Sequence, residues 1–344
     1  MRIAFFLPAP LDLLTGAQVY NRRMIAEWQA AGHAVSVHSL EGTHPLADEA
    51  ARNAAASAWS AMPSDAIPVM DNLVLPSLAP FAADLTTRRA VVLNHHPTGL
   101  EPGLAATDAA SLIAIETELL PLCHRVVTPS ETIATTLAKQ FGVDRAKIAV
   151  IIPGTDDAPR ATGSDGPGVH VLSIGSLIPR KGHDVLLRAL ARLFDLNWQL
   201  TIAGTAKLDP RCAADLPALA KELGIADRVR FLGEMTGAPL AALWNSADLF
   251  ALATRYEGFG MVIAEALKRG LPVAVTKGGA AGDLIAPSCG VVCPVDDVDQ
   301  LSKALRRLIF DTPLRHEMSD AAWKAGQDLQ GWPAQARVFA GILA

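Results

Sequence analysis

The residues best placed to do chemistry lie in the run Glu257-Gly258-Phe259-Gly260-Met261-Val262-Ile263-Ala264-Glu265. It follows the strand candidate Leu249–Leu252 and continues into a helical pattern. Glycines let a ligand approach the backbone, and the first turn of a new helix presents N–H groups that have no partner within the helix. The pattern predicts Glu257 in the loop and Glu265 about two turns along the helix. Two such carboxylates can accept hydrogen bonds from neutral hydroxyls such as those of a ribose. On spacing alone, a helix cap at Glu257 and a solvated surface position for Glu265 explain the pair equally well.

Three further groups follow predicted strands, the last after an intervening loop. Arg180-Lys181-Gly182 comes directly after the strand candidate Val169–Ile174. Two cations beside a helix start suit a dianionic leaving group. Asn94-His95-His96-Pro97 follows the strand candidate Ala90–Leu93, which predicts both histidines at the mouth of a cleft. Thr15-Gly16-Ala17-Gln18 opens the first helix. No third ligand stands at a spacing that would make His95 and His96 a zinc site, so no metal is expected. Glu101 and Glu116 fall farther along the same half and suit an acceptor pocket, though nothing in their spacing requires one.

These groups need elements to hold them. In the first half the strand candidates are Ile3–Leu7, Ala34–Ser39, Ala90–Leu93, Arg125–Thr128 and Ile148–Ile151, with helical patterns near Ala17–Ala30, Ala105–Leu120 and Glu131–Gln140. In the second half they are Val169–Ile174, Gln199–Ala203, Val229–Leu232, Leu249–Leu252, Pro272–Val275 and Gly290–Val292. Helical patterns separate these near Gly182–Phe194, Asp215–Leu223, Pro239–Asn245, Met261–Arg269 and Val298–Phe310. Strands alternating with helices predict an α/β protein whose parallel sheets are covered on both faces. Two such runs predict two doubly wound domains that share a cleft at the C-terminal ends of their strands. The Gly/Asp/Pro-rich stretch Gly154–Gly168 reads as the boundary, with domains at 1–160 and 168–311 and terminal helices at 312–344.

Composition narrows the function. Half of the 344 residues are hydrophobic and 19% are charged, which excludes a disordered polymer. A net charge of −5 argues against a nucleic-acid partner, which would call for a basic stripe. Up to Asp165 there are 11 Lys and Arg against 17 Asp and Glu, so the negative excess sits in the first half and disfavours an anionic membrane surface. Arg22-Arg23 and Arg88-Arg89 nevertheless offer local basic pairs. Cys123, Cys212, Cys289 and Cys293 are scattered and read as ordinary thiols. The chain enters a strand at Arg2–Phe6 without a leader pattern, and no apolar run reaches the roughly 18 residues of a membrane span. A cytoplasmic protein is expected, with peripheral contact at the inner face of a membrane compatible. A dinucleotide dehydrogenase would need Gly-x-Gly-x-x-Gly after the first strand of a half, and neither half has it.

Taken together, the motifs resemble glycosyltransferase family 4. The signature is Glu-(seven residues)-Glu within Glu257-Gly258-Phe259-Gly260 and Ala264-Glu265-Ala266. Val171–Leu177 with Arg180-Lys181-Gly182, Val229-Arg230-Phe231-Leu232-Gly233 and Ala247-Asp248-Leu249-Phe250 are similar to blocks of that family's donor domain. Val126–Ser130 and Ile151–Gly154 are similar to the end of its first domain. The resemblance implies a GT-B fold of two Rossmann-like domains facing across a cleft, with the last helix, bearing Trp332, crossing back to the first.

It also implies a retaining transfer of a sugar from a nucleotide-diphosphate donor, foremost a UDP-sugar, to a hydroxyl of a lipid or small-molecule acceptor, with no cofactor or metal. Domain closure would exclude water. Arg180 and Lys181 would bind the diphosphate and stabilise its growing charge, and Glu257 would stand at the reaction centre. Gly16, Gly175, Leu232, Gly258, Phe259, Gly260, Met261, Val262 and Glu265 would complete the donor site. Either His95 or His96 would contact the donor sugar. The family usually carries two adjacent glycines where this chain has Gly16-Ala17, and that departure supports the alternative of a catalytically silent nucleotide-sugar-binding subunit or scaffold.

Overall fold

The computed structural model describes residues 1–344 and divides into two compact units, Met1–Gly154 with Trp332–Ala344, and Thr155–Gly331. The first unit runs β1 (Arg2–Pro8), α1 (Gly16–Ala30), β2 (Ala34–Leu40), α2 (Glu49–Ala61), β3 (Ile67–Asp71), α3 (Ala82–Thr87), β4 (Val91–Leu93), α4 (Ala106–Leu119), β5 (Arg125–Thr128), α5 (Glu131–Gln140) and β6 (Ile148–Val150). Its six strands are all parallel, in the order β2-β1-β3-β4-β5-β6. The order reverses between β1 and β3, which places the switch point at the C-terminal ends of those two strands.

The second unit runs β7 (Val169–Ile174), α6 (His183–Ala191), β8 (Trp198–Ala203), α7 (Pro210–Glu222), β9 (Val229–Phe231), α8 (Gly237–Asn245), β10 (Leu249–Leu252), α9 (Met261–Lys268), β11 (Val273–Thr276), β12 (Gly290–Cys293), α10 (Val298–Phe310) and α11 (Thr312–Gln327). This sheet is also wholly parallel, ordered β12-β11-β10-β7-β8-β9, with its switch point between β7 and β10. Both faces of the sheet carry apolar residues. Val171, Leu200, Ile202 and Ala251 pack on the side of α6 and α10, while Leu172, Phe250, Leu252 and Val275 pack on the side of α9. Two Rossmann-like α/β units in one chain are the architecture anticipated from the alternating pattern.

Three elements of the first unit, β3, α2 and the short α3, fall outside the strand and helix patterns anticipated above. β3 contains Pro68, a residue that argues against a central strand. The register explains the exception: pairing with β4 begins only at Val69↔Val91, so Pro68 lies beyond the end of that neighbour. α2 is short in large apolar residues, and only Ala51, Ala55 and Trp59, four apart, mark its buried face.

The boundary also differs. Rather than bridging the units, residues 155–168 are tied to the second. Ala161 N–H donates to Arg269 O at 2.9 Å, Thr162 and Gly163 N–H both donate to Asn245 O at 3.0 Å, and Ser164 Oγ donates to Asp248 Oδ2 at 2.7 Å. Thr312–Gln327 likewise belongs to the second unit, and only α12 (Trp332–Leu343) joins the first. There Trp28, wholly buried in α1, meets Phe339 edge-on with ring centres 4.9 Å apart and donates from Nε1 to Ala336 O at 3.2 Å. Trp28→Ala should therefore destabilise the first unit by about 3–5 kcal/mol. Urea denaturation followed by Trp fluorescence and circular dichroism checks this; an unshifted midpoint would mean that α12 contributes no stability.

Candidate active site

In the second unit the loops after β7 and β10 bring the predicted cations and carboxylate together at the switch point. Lys181 Nζ donates to Glu257 Oε1. Arg180 Nη1 lies 3.4 Å from the same oxygen and donates to Tyr256 O at 2.8 Å. The Thr254 hydroxyl sits 3.1 Å from Glu257 Oε1. The side chains of Glu257, Lys181 and Arg180 are 10%, 13% and 16% exposed, so the cluster is largely withdrawn from water. Burial opposes ionisation of Glu257, but the Lys181 and Arg180 charges and the hydrogen bonds from Lys181 and Thr254 outweigh it and hold the carboxyl below its usual range.

The backbone supports this geometry. Gly182, at φ +63°, closes a 3₁₀ turn over Pro179–Lys181 and starts α6; a Cβ there would lie 1.9 Å from Ala253 O. Arg255 clamps the two loops. Its N–H donates to Arg180 O at 2.7 Å, and its guanidinium binds Asp184 of α6 through two bonds of 3.0 and 2.9 Å and Asp296 at 2.8 Å. Glu257 itself is seated by N–H donation to Gly278 O at 3.1 Å and by accepting from Ala280 N–H at 2.8 Å.

Gly260, at φ +97°, caps α9 with no side-chain hydrogen bond, so Met261 and Val262 present their N–H groups at a positive helix end. Because α9 begins at Met261, Glu265 stands about one turn in, not two. It is partly buried and no protein donor meets its carboxylate. Burial pushes Glu265 up to about 7, against the attraction of Arg269 and with the repulsion of Asp156. Gly175 and Leu232 lie after β7 and β9 at this same sheet edge, Phe259 is buried, and Gly258 is half-buried. His183, beside Lys181, is buried and held neutral, its pKa lowered to about 4 by burial.

The first unit holds a second cluster, at its own switch point. His95 Nε2 lies 3.4 Å from Asp71 Oδ2 and 3.2 Å from Asn21 Oδ1, and Asn21 Nδ2 donates to Asp71 Oδ2 at 2.6 Å. Asp71 is fully buried; His95, the Asn21 amide and the Leu73 N–H overcome the burial cost and lower its pKa. His96 turns elsewhere, to Glu101 Oε2 at 2.6 Å. Glu116 is fully buried and accepts from Thr98 N–H at 2.9 Å and Gly99 N–H at 3.3 Å, which makes it a brace for the loop after β4. Burial raises its pKa in spite of those bonds. Gly16 is the first residue of α1, capped by the Thr15 hydroxyl, which accepts from Gln18 N–H at 3.3 Å.

Thus Arg180, Lys181 and Glu257 converge, the two histidines have separate partners, and Asp71, Asn21, Thr254, Arg255 and Asp184 were missed. Asp71 hid at the end of a Pro-containing strand. Arg255, two residues before Glu257, had only its position as a signal.

Two Rossmann-like parallel-sheet units with a charged cluster at the edge of the second define the GT-B class. Solved structures similar to this chain agree. They include the sucrose-phosphate synthase of Thermosynechococcus elongatus (TM-score 0.83, 20% identity, 99% of this chain and 98% of that one) and Anabaena HepE in complex with UDP-glucose (TM-score 0.79, 20% identity, 100% and 99%). The family described as Glycosyl transferases group 1 matches residues 155–325, and Glycosyltransferase Family 4 matches 65–158. The chain belongs to glycosyltransferase family 4. Curated relatives include D-inositol 3-phosphate glycosyltransferases of Salinispora arenicola (32% identity over 231 residues, 60% of this chain and 52% of the relative) and Kribbella flavida (28% over 243 residues, 64% and 56%). The matches span about half the length of those relatives.

Two outcomes test the local physics. A carboxyl whose pKa rises from 4.5 to about 7 on folding binds protons more tightly in the native state. Its contribution is therefore fully present below pH 4.5 and is lost as pH rises through about 7. The urea midpoint of the wild type should fall relative to that of Glu265→Gln between pH 5 and 8, and parallel midpoints would place Glu265 in water. Gly182→Ala should break the turn against Ala253 O and lower the melting temperature by several degrees; an unchanged melting curve would show that the turn is not constrained.

Proposed function

We propose that this protein is a retaining glycosyltransferase that takes a sugar from a nucleotide-diphosphate donor and passes it to a hydroxyl of a small-molecule or lipid acceptor. The observation that carries the reading is the Lys181–Glu257–Arg180 cluster beside the open N-terminus of α9. As the glycosidic bond breaks, negative charge gathers on the leaving diphosphate. Lys181, Arg180 and the N–H groups of Met261 and Val262 are placed to stabilise that charge. Glu265, whose carboxylate no protein donor meets, suits the ribose hydroxyls, which ask only for an acceptor. Glu257 keeps Lys181 oriented until a phosphate draws Lys181 away, and then accepts from sugar hydroxyls. His95 contacts the donor sugar. The leaving diphosphate takes the acceptor's proton, so no side chain is assigned as general base.

UDP is the favoured nucleotide, supported by the similar fold of HepE, which was solved with UDP-glucose. Relatives named for D-inositol 3-phosphate favour a small phosphorylated polyol as acceptor. No helix is long and apolar enough to cross a membrane, and a cytoplasmic enzyme, with peripheral contact for a lipid acceptor, fits the composition. Catalysis is proposed to need no metal, because the two cations and the helix terminus supply the charge.

Thermal-shift measurements with UDP, GDP, ADP and NAD test the donor site. A ligand at about 100 times its Kd adds roughly 2.7 kcal/mol. One nucleoside diphosphate should stabilise the wild type and not Lys181→Ala, and the matching sugar nucleotide should be consumed in the presence of acceptor. Lys181→Ala should slow transfer by about 100-fold or more, and EDTA should leave the wild-type rate unchanged. Binding without turnover against a panel of polyol phosphates and lipids would make the chain a nucleotide-sugar-binding subunit instead.

A further inference from the structure

The buried cluster of the first unit has a donor and acceptor pattern that leaves one arrangement of protons. Asn21 Nδ2 is 2.6 Å from Asp71 Oδ2, so the amide must turn its N–H₂ to the carboxylate and its oxygen, Oδ1, toward His95. The reverse amide orientation would set a carbonyl oxygen against a carboxylate. His95 Nε2 therefore faces two acceptors, Asn21 Oδ1 at 3.2 Å and Asp71 Oδ2 at 3.4 Å, and must carry a hydrogen. In the neutral ring the lone pair then belongs to Nδ1, which no protein group meets.

Other contacts hold the ring in place. His95 N–H donates to Asn72 Oδ1 at 3.2 Å. Tyr20 meets the imidazole edge-on with ring centres 5.4 Å apart, and is itself held by its hydroxyl, 3.2 Å from Ile151 O, and by the ring of Trp332. Asp71 cannot drift. It is wholly buried, and its other oxygen accepts from Leu73 N–H at 2.8 Å at the end of β3.

We propose that Asp71, acting through Asn21, is a positioning residue that fixes His95 as the Nε2–H tautomer, so that Nδ1 is presented as a hydrogen-bond acceptor to a substrate hydroxyl. A proton on Nδ1 would turn the same position into a donor and give up an acceptor for a polyol. Carboxylates that hold an imidazole in one tautomer act on rate through geometry and proton placement rather than through contact with the substrate. The identity of the hydroxyl as one on a sugar rests on the glycosyltransferase reading; the tautomer does not.

The experiment separates these. Long-range ¹H–¹⁵N spectra of the labelled full chain, with His95 assigned by its loss in His95→Gln, should show the Nε2–H tautomer in the neutral wild type. Asp71→Asn should shift His95 to a mixture of tautomers, and Asn21→Ala, which keeps the carboxylate but removes the oriented amide, should do so in part. In sugar transfer both variants should lose kcat, by about 10- to 100-fold for Asp71→Asn, with KM for the donor nearly unchanged. A wild-type spectrum showing Nδ1–H overturns the proposal, as does an unaltered His95 tautomer in both variants. If transfer itself cannot be found, the spectra still decide the tautomer. If the tautomer shifts while kcat holds, the half of the proposal that gives Nδ1 a substrate hydroxyl is overturned.

Discussion

A carboxylate taken out of water must be met by donors, and both units of this chain are organised around one that is. Glu257 in the second and Asp71 in the first are buried at the C-terminal edge of a parallel sheet, and both remain on the ionised side of their usual range because neighbouring groups outweigh desolvation. The partners differ in kind. Glu257 is matched by two fixed cations and a hydroxyl, so the cluster has a net positive charge and is suited to an anionic ligand. Asp71 is matched by an amide, a backbone N–H and an imidazole, which spreads its charge over orienting bonds. Breaking a buried pair costs more than making one contributes, so such groups hold geometry more than they hold stability.

The parallel sheets explain why these carboxylates lie where they do. Every strand of a parallel sheet ends at the same edge, and every following loop must leave from it, so polar residues just past the strands are gathered without long-range pairing of loops. The switch point between β7 and β10 separates helices that depart to opposite faces, and the crevice this leaves is bounded by the loops carrying Arg180, Lys181 and Glu257. Arg255 closes those loops on each other. Its guanidinium joins Asp184 on α6 to Asp296 beyond β12 and to Pro179 O in the loop of Arg180, and its backbone N–H joins that loop as well. A planar group with donors on several sides can do this; an ammonium cannot hold the same three directions at once.

Much of the Lys181–Glu257–Arg180 cluster is legible in the order of residues alone. Glu257, Lys181 and Arg180 each come soon after a short, largely apolar run, and a residue just past a buried parallel strand has few places to go. The second unit's strands are readable for the same reason, since buried on both faces they appear as continuous apolar segments. β3 is not readable, because Pro68 carries a local veto that only the register with β4 removes. Asp71 is lost with it. The extent of the second unit is misjudged because residues 155–168 have the composition of a linker, yet their backbone N–H groups find Arg269 and Asn245 as partners. Composition reports what a segment cannot bury, not what it can bond.

The features that follow from the amino-acid order are local and periodic: the alternation of strands and helices, the two-unit architecture and the residue types waiting at strand ends. Hydrophobic periodicity and turn chemistry produce them, and both act over a few residues. Folding in three dimensions was needed to settle which of His95 and His96 meets a buried carboxylate. It also settled that Glu265 stands one turn along α9 in a place that raises its pKa, and that α12 leaves its neighbour in sequence to pack on α1. Each of those depends on the direction of a side chain or on desolvation by groups far away in the chain, and neither quantity is defined until the chain has closed on itself.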